Sequence, residues 1–204
     1  MAGRPRGQED EVILRAAADV IGRVGPARLT LAAVASEVGL VPGTLIQRFG
    51  SKRGLLVALA RTSAEAVDGH HERLRAGHSS PLAALAALVV GAMAPLTTPE
   101  TFANHLAFLC LDLTDPELHE YALAIHRSRS SAVNALLTEA VEEGELKAGT
   151  DTTQLTALVQ AVLTGTGLNW ALDRDGALPD RLRQALDALL VPHLAPDSQP
   201  AEQP

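Results

Sequence analysis

Three times in this chain a residue able to cap a helix stands directly before a proline: Ser80-Pro81, Thr98-Pro99 and Asp115-Pro116. The last two pairs continue into Glu100 and Glu117. A capping oxygen satisfies an orphan N–H of the first turn, proline presets its φ, and a carboxylate there meets the positive end of the helix dipole. Each pair therefore opens a helix, and the rest of the chain is punctuated in the same manner. Ile13, Ala17, Val20, Ile21 and Val24 form one stripe of a helix over 9–24, closed by Gly25-Pro26. Thr30 caps a helix over 31–38 that stops at Gly39, and Pro42 opens another that ends near Gly50. Ser51 caps a long helix with apolar spacing to Leu74. Asp151 with Gln154 opens a helix to about Asp173, and Pro179 opens the last, through Leu190. No segment alternates like a strand. The expected fold is all-α with about nine helices, four before Gly77 and five after. Aromatic residues are only 2% of a chain that is 47% hydrophobic, so the core must be aliphatic.

The segment from Thr30 to Leu56, TLAAVASEVGLVPGTLIQRFGSKRGLL, carries the most information. Two short helices meet at a tight turn, with Val34, Ala35, Val38, Leu40, Leu45 and Phe49 spaced to make a small core. This is helix-turn-helix spacing. Ala35 lets the helices approach, Gly39 supplies a positive φ, and Leu40 plugs the corner. Pro42, Gly43, Thr44, Gln47 and Arg48 are left facing outward. Gln and Arg can read base edges and Thr a phosphate or thymine methyl, although an exposed helix face also carries such residues merely for solvation.

At Thr30, Val34-Ala35, Gly39, Leu40, Gly43-Thr44-Leu45, Phe49, Ser51-Lys52 and Leu55 the chain resembles the TetR (tetracycline-repressor) family. The resemblance implies a three-helix DNA-binding head (residues 1–54), a linking fourth helix, and a ligand-binding and dimerisation body (55–192). Residues 193–204 are expected to be a disordered tail. It places Lys52 on a phosphate and makes Arg28, Thr30 and Thr44 backbone contacts. Two positions depart from the pattern: Val41 stands where the family carries a capping Ser or Thr, and Ile46 where it carries Tyr. Arg4 and Arg6, in an N-terminal arm, either enter the minor groove or belong to a solvated tail.

The same resemblance implies an effector pocket in the body. Its candidates are Met93, Phe102, His105, Leu106, Leu109, Tyr121, Ile125, Asn169 and Trp170, each equally able to be ordinary core. So few rings cannot form an aromatic cage for a large cation, so the expected effector is small, apolar, and uncharged or acidic. Leu155, Leu158, Val159, Val162 and Thr166, followed by Leu182, Leu186, Leu189 and Leu190, suggest a four-helix homodimer seam that Gly165 and Gly167 let close.

Residues 1–54 hold eight Arg/Lys against five Asp/Glu, a local +3, while the remainder carries −10 of the total −7. A basic head on an acidic body suits a chain of which one end meets double-stranded operator DNA. The single Cys110 excludes an intrachain disulfide, and no catalytic triad, HExxH or phosphate loop is present. No catalytic residue, cofactor or metal site is expected. His70, His71 and His78 do not read as a metal site, and the acidic run Glu139, Glu142, Glu143, Glu145 reads as a solvated helix end. The N-terminus lacks the apolar stretch of a signal peptide, and Leu82–Leu96 is too short to span a bilayer. The expectation is a cytoplasmic repressor released by a small molecule and without a membrane role; the alternative is a regulator whose body binds a protein partner.

Overall fold

The computed structural model describes residues 6–67 and 70–196. Among them are ten α-helices and one 3-10 turn, with a single isolated β-bridge and no strand. The chain divides into two compact units, Met1–Ala66 with Thr98–Ile125, and Val67–Thr97 with His126–Pro204.

The first unit holds α1 (Arg6–Arg28), α2 (Leu31–Glu37), α3 (Pro42–Phe49), α4 (Lys52–Ala66), α7 (Pro99–Thr114) and the first turns of α8 (Pro116–Glu142). Ile13, Ala17, Val20 and Ile21 of α1 meet Val34, Ala35, Leu45 and Leu55 of the next three helices, with Leu118 of α8 in the same cluster. Gly25 breaks α1 with φ 78°, and the chain turns once more through Pro26 to Arg28. Pro26 has no N–H, so the Gly22 carbonyl loses its usual partner four residues on. The Asn104 amide of α7 donates to that carbonyl at 2.8 Å. A β-carbon at Gly25 would lie 2.8 Å from the Asn104 Oδ1, so the kink and α7 are fitted to each other.

The second unit holds α5 (His70–Ala76), α6 (Pro81–Ala92), the rest of α8, α9 (Thr152–Asp173) and α10 (Leu178–Leu190). Leu85 and Leu88 of α6, Leu136 and Leu137 of α8, Leu155 and Val159 of α9, and Leu182 and Leu186 of α10 are buried. Arg75 pairs with Glu139 at 2.8 Å and Glu143 at 2.7 Å, and Glu145 accepts the Leu82 N–H at the start of α6. The acidic run is thus largely a structural clamp and not the solvated end its composition suggests.

Three expectations on the fold need correcting. The helix expected from Ser51 to Leu74 is two helices: α4 ends at Ala66, Val67 is in a turn, and α5 starts at His70, with residues 68 and 69 outside the described residues. Leu40 is 37% exposed and so does not plug the turn. Residues 193–195 are held in the fold and are not part of the expected tail, because Lys147 N–H donates to the His193 carbonyl and Ala195 N–H to that of Glu145. Arg4 and residues 197–204 lie outside the described residues, as do the side chains of Arg6, His70 and His71.

Candidate nucleic-acid interface and helical body

The turn between α2 and α3 is built as its sequence requires. Thr30 Oγ1 accepts from Ala33 N–H at 3.1 Å, Gly39 has φ 69°, and Leu40 N–H donates to Ala35 O at 2.8 Å. Val34, Ala35 and Leu45 are fully buried, which fixes α3 on the core through its inner face. Pro42 replaces the missing side-chain cap at Val41 by presetting the first turn. Behind α3, a β-carbon on Gly54 would stand 1.9 Å from the Phe49 carbonyl oxygen, so only glycine permits the close α3–α4 junction. Gly54 N–H donates to Ser51 Oγ at 3.1 Å, so α4 is capped where the sequence places its cap.

The eight candidate contact residues separate into groups. Pro42, Gly43 and Gln47 are exposed on the outer arc of α3, with Ile46 between them; Thr44 is half-buried at its edge. Arg48 does not join them. Its guanidinium pairs with Glu9 and, at 2.6 Å, with Asp10, and its side chain is only 22% exposed. The hydrogen bond it donates to Glu9, then that to Asp10, raises its pKa above the usual arginine value. Arg48 is therefore a tie between α3 and the start of α1. Arg28 donates to the Val24 carbonyl at 2.9 Å and Lys52 to that of Ala27 at 3.0 Å, so both are held at the end of α1. Arg53, one residue beyond Lys52, bridges Asp115 at 2.9 Å and Glu117 at 2.8 Å and binds α4 to the α7–α8 corner.

Of the effector candidates, Phe102, His105, Leu106, Leu109, Tyr121 and Ile125 belong to the first unit, and Met93, Asn169 and Trp170 to the second. Phe102 is buried, His105 and Asn169 are exposed, and Met93, Leu106, Leu109 and Ile125 are half-buried. Tyr121 packs on the core of the helix-turn-helix. Trp170 is buried and its indole N–H donates to the Gly176 carbonyl at 3.1 Å, a bond that closes the α9–α10 turn. Two open cavities in the second unit involve none of these residues. One, of about 450 Å³, lies at the α8–α9 loop beside Lys147, Asp151 and His193; the other, of about 520 Å³, lies along Ala83, Ala87 and Gly91.

Asp112 is the polar residue of α7 that the sequence reading passed over. It is 9% exposed, and its Oδ1 is buried without a hydrogen-bond partner. Burial, then the charge of Asp115, pushes its carboxyl up to about 6. Its position ten residues after Phe102 and three after Leu109 on the same apolar stripe was the available signal. In the second unit, burial lowers the pKa of Arg129, and Asn134 Oδ1 is likewise buried without a partner.

The dimer candidates are mostly consumed within the chain. Leu155, Val159, Leu182, Leu186 and Leu190 are at most 5% exposed and lie in the core of the second unit, because α9 and α10 pack on each other through these residues. Val162, Thr166 and Leu189 are half-buried, and Gly167 is buried on the inner face. Leu158 alone among the candidate leucines is exposed, at 42%, and two further leucines of α9 join it, Leu168 at 43% and Leu172 at 74%.

The family model described as bacterial regulatory proteins, tetR family, matches residues 13–59, and a tetracyclin repressor-like C-terminal domain matches residues 81–186. The chain belongs to the TetR family. Comparison with curated protein sequences gives no match. The fold of this TetR-family regulator is similar to that of a transcriptional regulator from Saccharomonospora viridis in complex with choline, with TM-score 0.75 and 18% identity over 93% of this chain and 99% of that one. It is also similar to a TetR regulator from Haloarcula marismortui, with TM-score 0.76 and 16% identity over 92% and 99% of the two chains. FadR from Bacillus subtilis, in complex with stearoyl-CoA, gives TM-score 0.64 and 21% identity over 88% and 96%. A TetR-family regulator joins a DNA-binding helix-turn-helix to a ligand-binding helical body, which is the division of labour expected from residues 30–56 onward. The first match covers α1 from Ile13, the whole of α2 and α3, and α4 as far as Leu59.

Proposed function

We propose that this regulator is a repressor that binds a near-palindromic operator as a homodimer and leaves it when a small molecule occupies the body. The observation that carries this reading is the pairing of two unpartnered surfaces. One is the outer arc of α3, where Pro42, Gly43, Ile46 and Gln47 are all exposed. The other is a stripe on α9 formed by Leu158, Ala161, Gly165, Leu168 and Leu172. Its 3-4-3-4 spacing keeps it on one helical face. The α9 helix is as long and apolar as a membrane-crossing segment, yet only 33% of its most apolar stretch is buried within the chain. The outer face of α10 instead carries Arg183, Gln184 and Asp187, so the seam is assigned to α9. A second copy covers the stripe, with Gly165 (where a β-carbon would meet nothing within 4 Å) allowing close approach.

One head buries too little DNA for tight specific binding, so two heads require two half-sites. Lys52 faces phosphate with its remaining donors, and Arg28, Thr30 and Thr44 supply further contacts to the DNA backbone. Asp112 revises the expected effector chemistry: a buried carboxylate oxygen without a partner favours a ligand that brings a hydrogen-bond donor or positive charge. The similar S. viridis regulator is in complex with choline, a small cation.

The test is selection of bound sequences from a random duplex pool, followed by fluorescence anisotropy at several salt concentrations. Enrichment of a near-palindrome, with a salt slope that falls by about one in Lys52→Ala, is the expected result. Binding of all sequences alike would overturn it. Small amines added to the complex should release the operator, and Asp112→Asn should need more of them.

A further inference from the structure

We propose that α3 selects A·T base pairs in the major groove, with Ile46 and Val41 against thymine methyl groups and Gln47 on adenine. The inference rests on the operator-binding reading and specifies its base chemistry. At 100° per residue, Pro42, Gly43, Ile46 and Gln47 fall within an arc of about 140° on the solvent side of α3, with Ile46 near its middle. Ile46 is 54% exposed, Val41 68% and Leu40 37%. Val12, Leu111 and Leu113 are also exposed in this unit, but Leu40, Val41 and Ile46 are three within seven residues at the helix-turn-helix, and that clustering marks a contact surface.

Its chemistry is unusual for a DNA reader because it offers almost no charge. The single cation of α3, Arg48, is engaged by Glu9 and Asp10, so the helix presents no guanidinium to the O6 and N7 acceptors of guanine. Setting Ile46 against those acceptors, or against the N4 donor of cytosine, would strip them of water and return no hydrogen bond. The thymine C5-methyl is the apolar group that bases display in the major groove, and it matches an exposed aliphatic side chain without that loss. Gln47, exposed on the same arc, has the donor and acceptor that pair bidentately with N6 and N7 of adenine.

Gly43 supports the same surface independently. Its φ is not positive, and a β-carbon there would meet nothing within 4 Å. Neither backbone nor internal packing calls for glycine, whereas the missing side chain lets a base edge come up between Pro42, Ile46 and Gln47.

The experiment uses the full-length protein on its selected operator, with thymines replaced one at a time by uracil, which lacks only the C5-methyl. Affinity should fall about fourfold at one or two positions in each half-site, the worth of one buried methyl-sized group. In Ile46→Ala or Val41→Ala the corresponding uracil should cost nothing further, and Gln47→Ala should lose preference at one adenine. All three side chains are exposed, and circular dichroism confirms that the variants fold. Specific binding that is unaffected by uracil at every position, or half-sites with G·C pairs at the contacted steps, overturns the inference while leaving the operator reading in place. Failure of any sequence to be enriched overturns both.

Discussion

At Arg48 and Asp112 the same physical rule produces opposite outcomes. Arg48 is a charged group that has found partners, and Asp112 is one that has not. The guanidinium of Arg48 gains two carboxylates from the first turn of α1, which removes it from the outer surface of α3. Arg48→Ala should therefore lower the melting temperature of the protein and leave the base preference of selected operators unchanged. Thermal unfolding followed by a repeated selection checks both parts, and a shift in preference would return Arg48 to the interface. Asp112 has a folded-state pKa of about 6 against 3.8 for the free group, because burial and Asp115 both disfavour its charge. An acid whose pKa is raised binds more protons folded than unfolded between those values, so stability falls as pH rises from about 4 to 6. Asp112→Asn should remove that slope and stabilise the protein above pH 6 by roughly 1–3 kcal/mol. Urea unfolding at pH 5 and pH 7.5 measures it, and an unchanged slope would mean that Asp112 stays charged when folded.

At the scale of elements, glycine separates what the fold needs from what the partner needs. Gly54 lies 1.9 Å, measured from its would-be β-carbon, from the Phe49 carbonyl oxygen, and Gly43 has open space in the same place. Gly54→Ala should destabilise the protein by on the order of 3 kcal/mol, since backbone must move to admit the methyl. Gly43→Ala should leave stability level or up by about 0.5–1 kcal/mol and still weaken operator binding. Denaturant midpoints and anisotropy on the two variants separate these effects, and equal losses of stability would defeat the distinction. Helix starts were legible in the sequence because their causes are local. Thr30, Ser80, Thr98 and Asp151 each accept the N–H three residues on, as their side chains and neighbours require. The break between α4 and α5 was missed because apolar spacing continues to Leu74 across it. The Glu9 and Asp10 clamp was illegible because it joins residues 39 and 38 positions from their partner. Asn104 escaped notice for the same reason, as its task is set by a carbonyl that Pro26 orphaned 82 residues earlier.

For the whole molecule, the leucines of α9 and α10 show how periodicity misleads when two surfaces of one helix are both apolar. A helix buried on one side by its own chain and on the other by a second copy has no polar face to reveal which leucine serves which purpose. Burial resolves them: Leu186 is 2% exposed within the chain, whereas Leu168 is 43% exposed. A glutamate at Leu186 would place an unpaired carboxylate in the core between α9 and α10. Leu186→Glu should accordingly cost more than about 4 kcal/mol and prevent stable folding. Leu168→Glu leaves that core intact and puts charge into the α9 stripe between Ala161 and Leu172. This variant should keep its helical circular dichroism and a cooperative melt, yet scatter light as a monomer and lose tight binding to the near-palindromic operator. Its affinity for a single half-site should equal that of the unaltered head, because α3 and its supports are untouched. A folded Leu168→Glu protein that remains dimeric would move the seam off the outer face of α9.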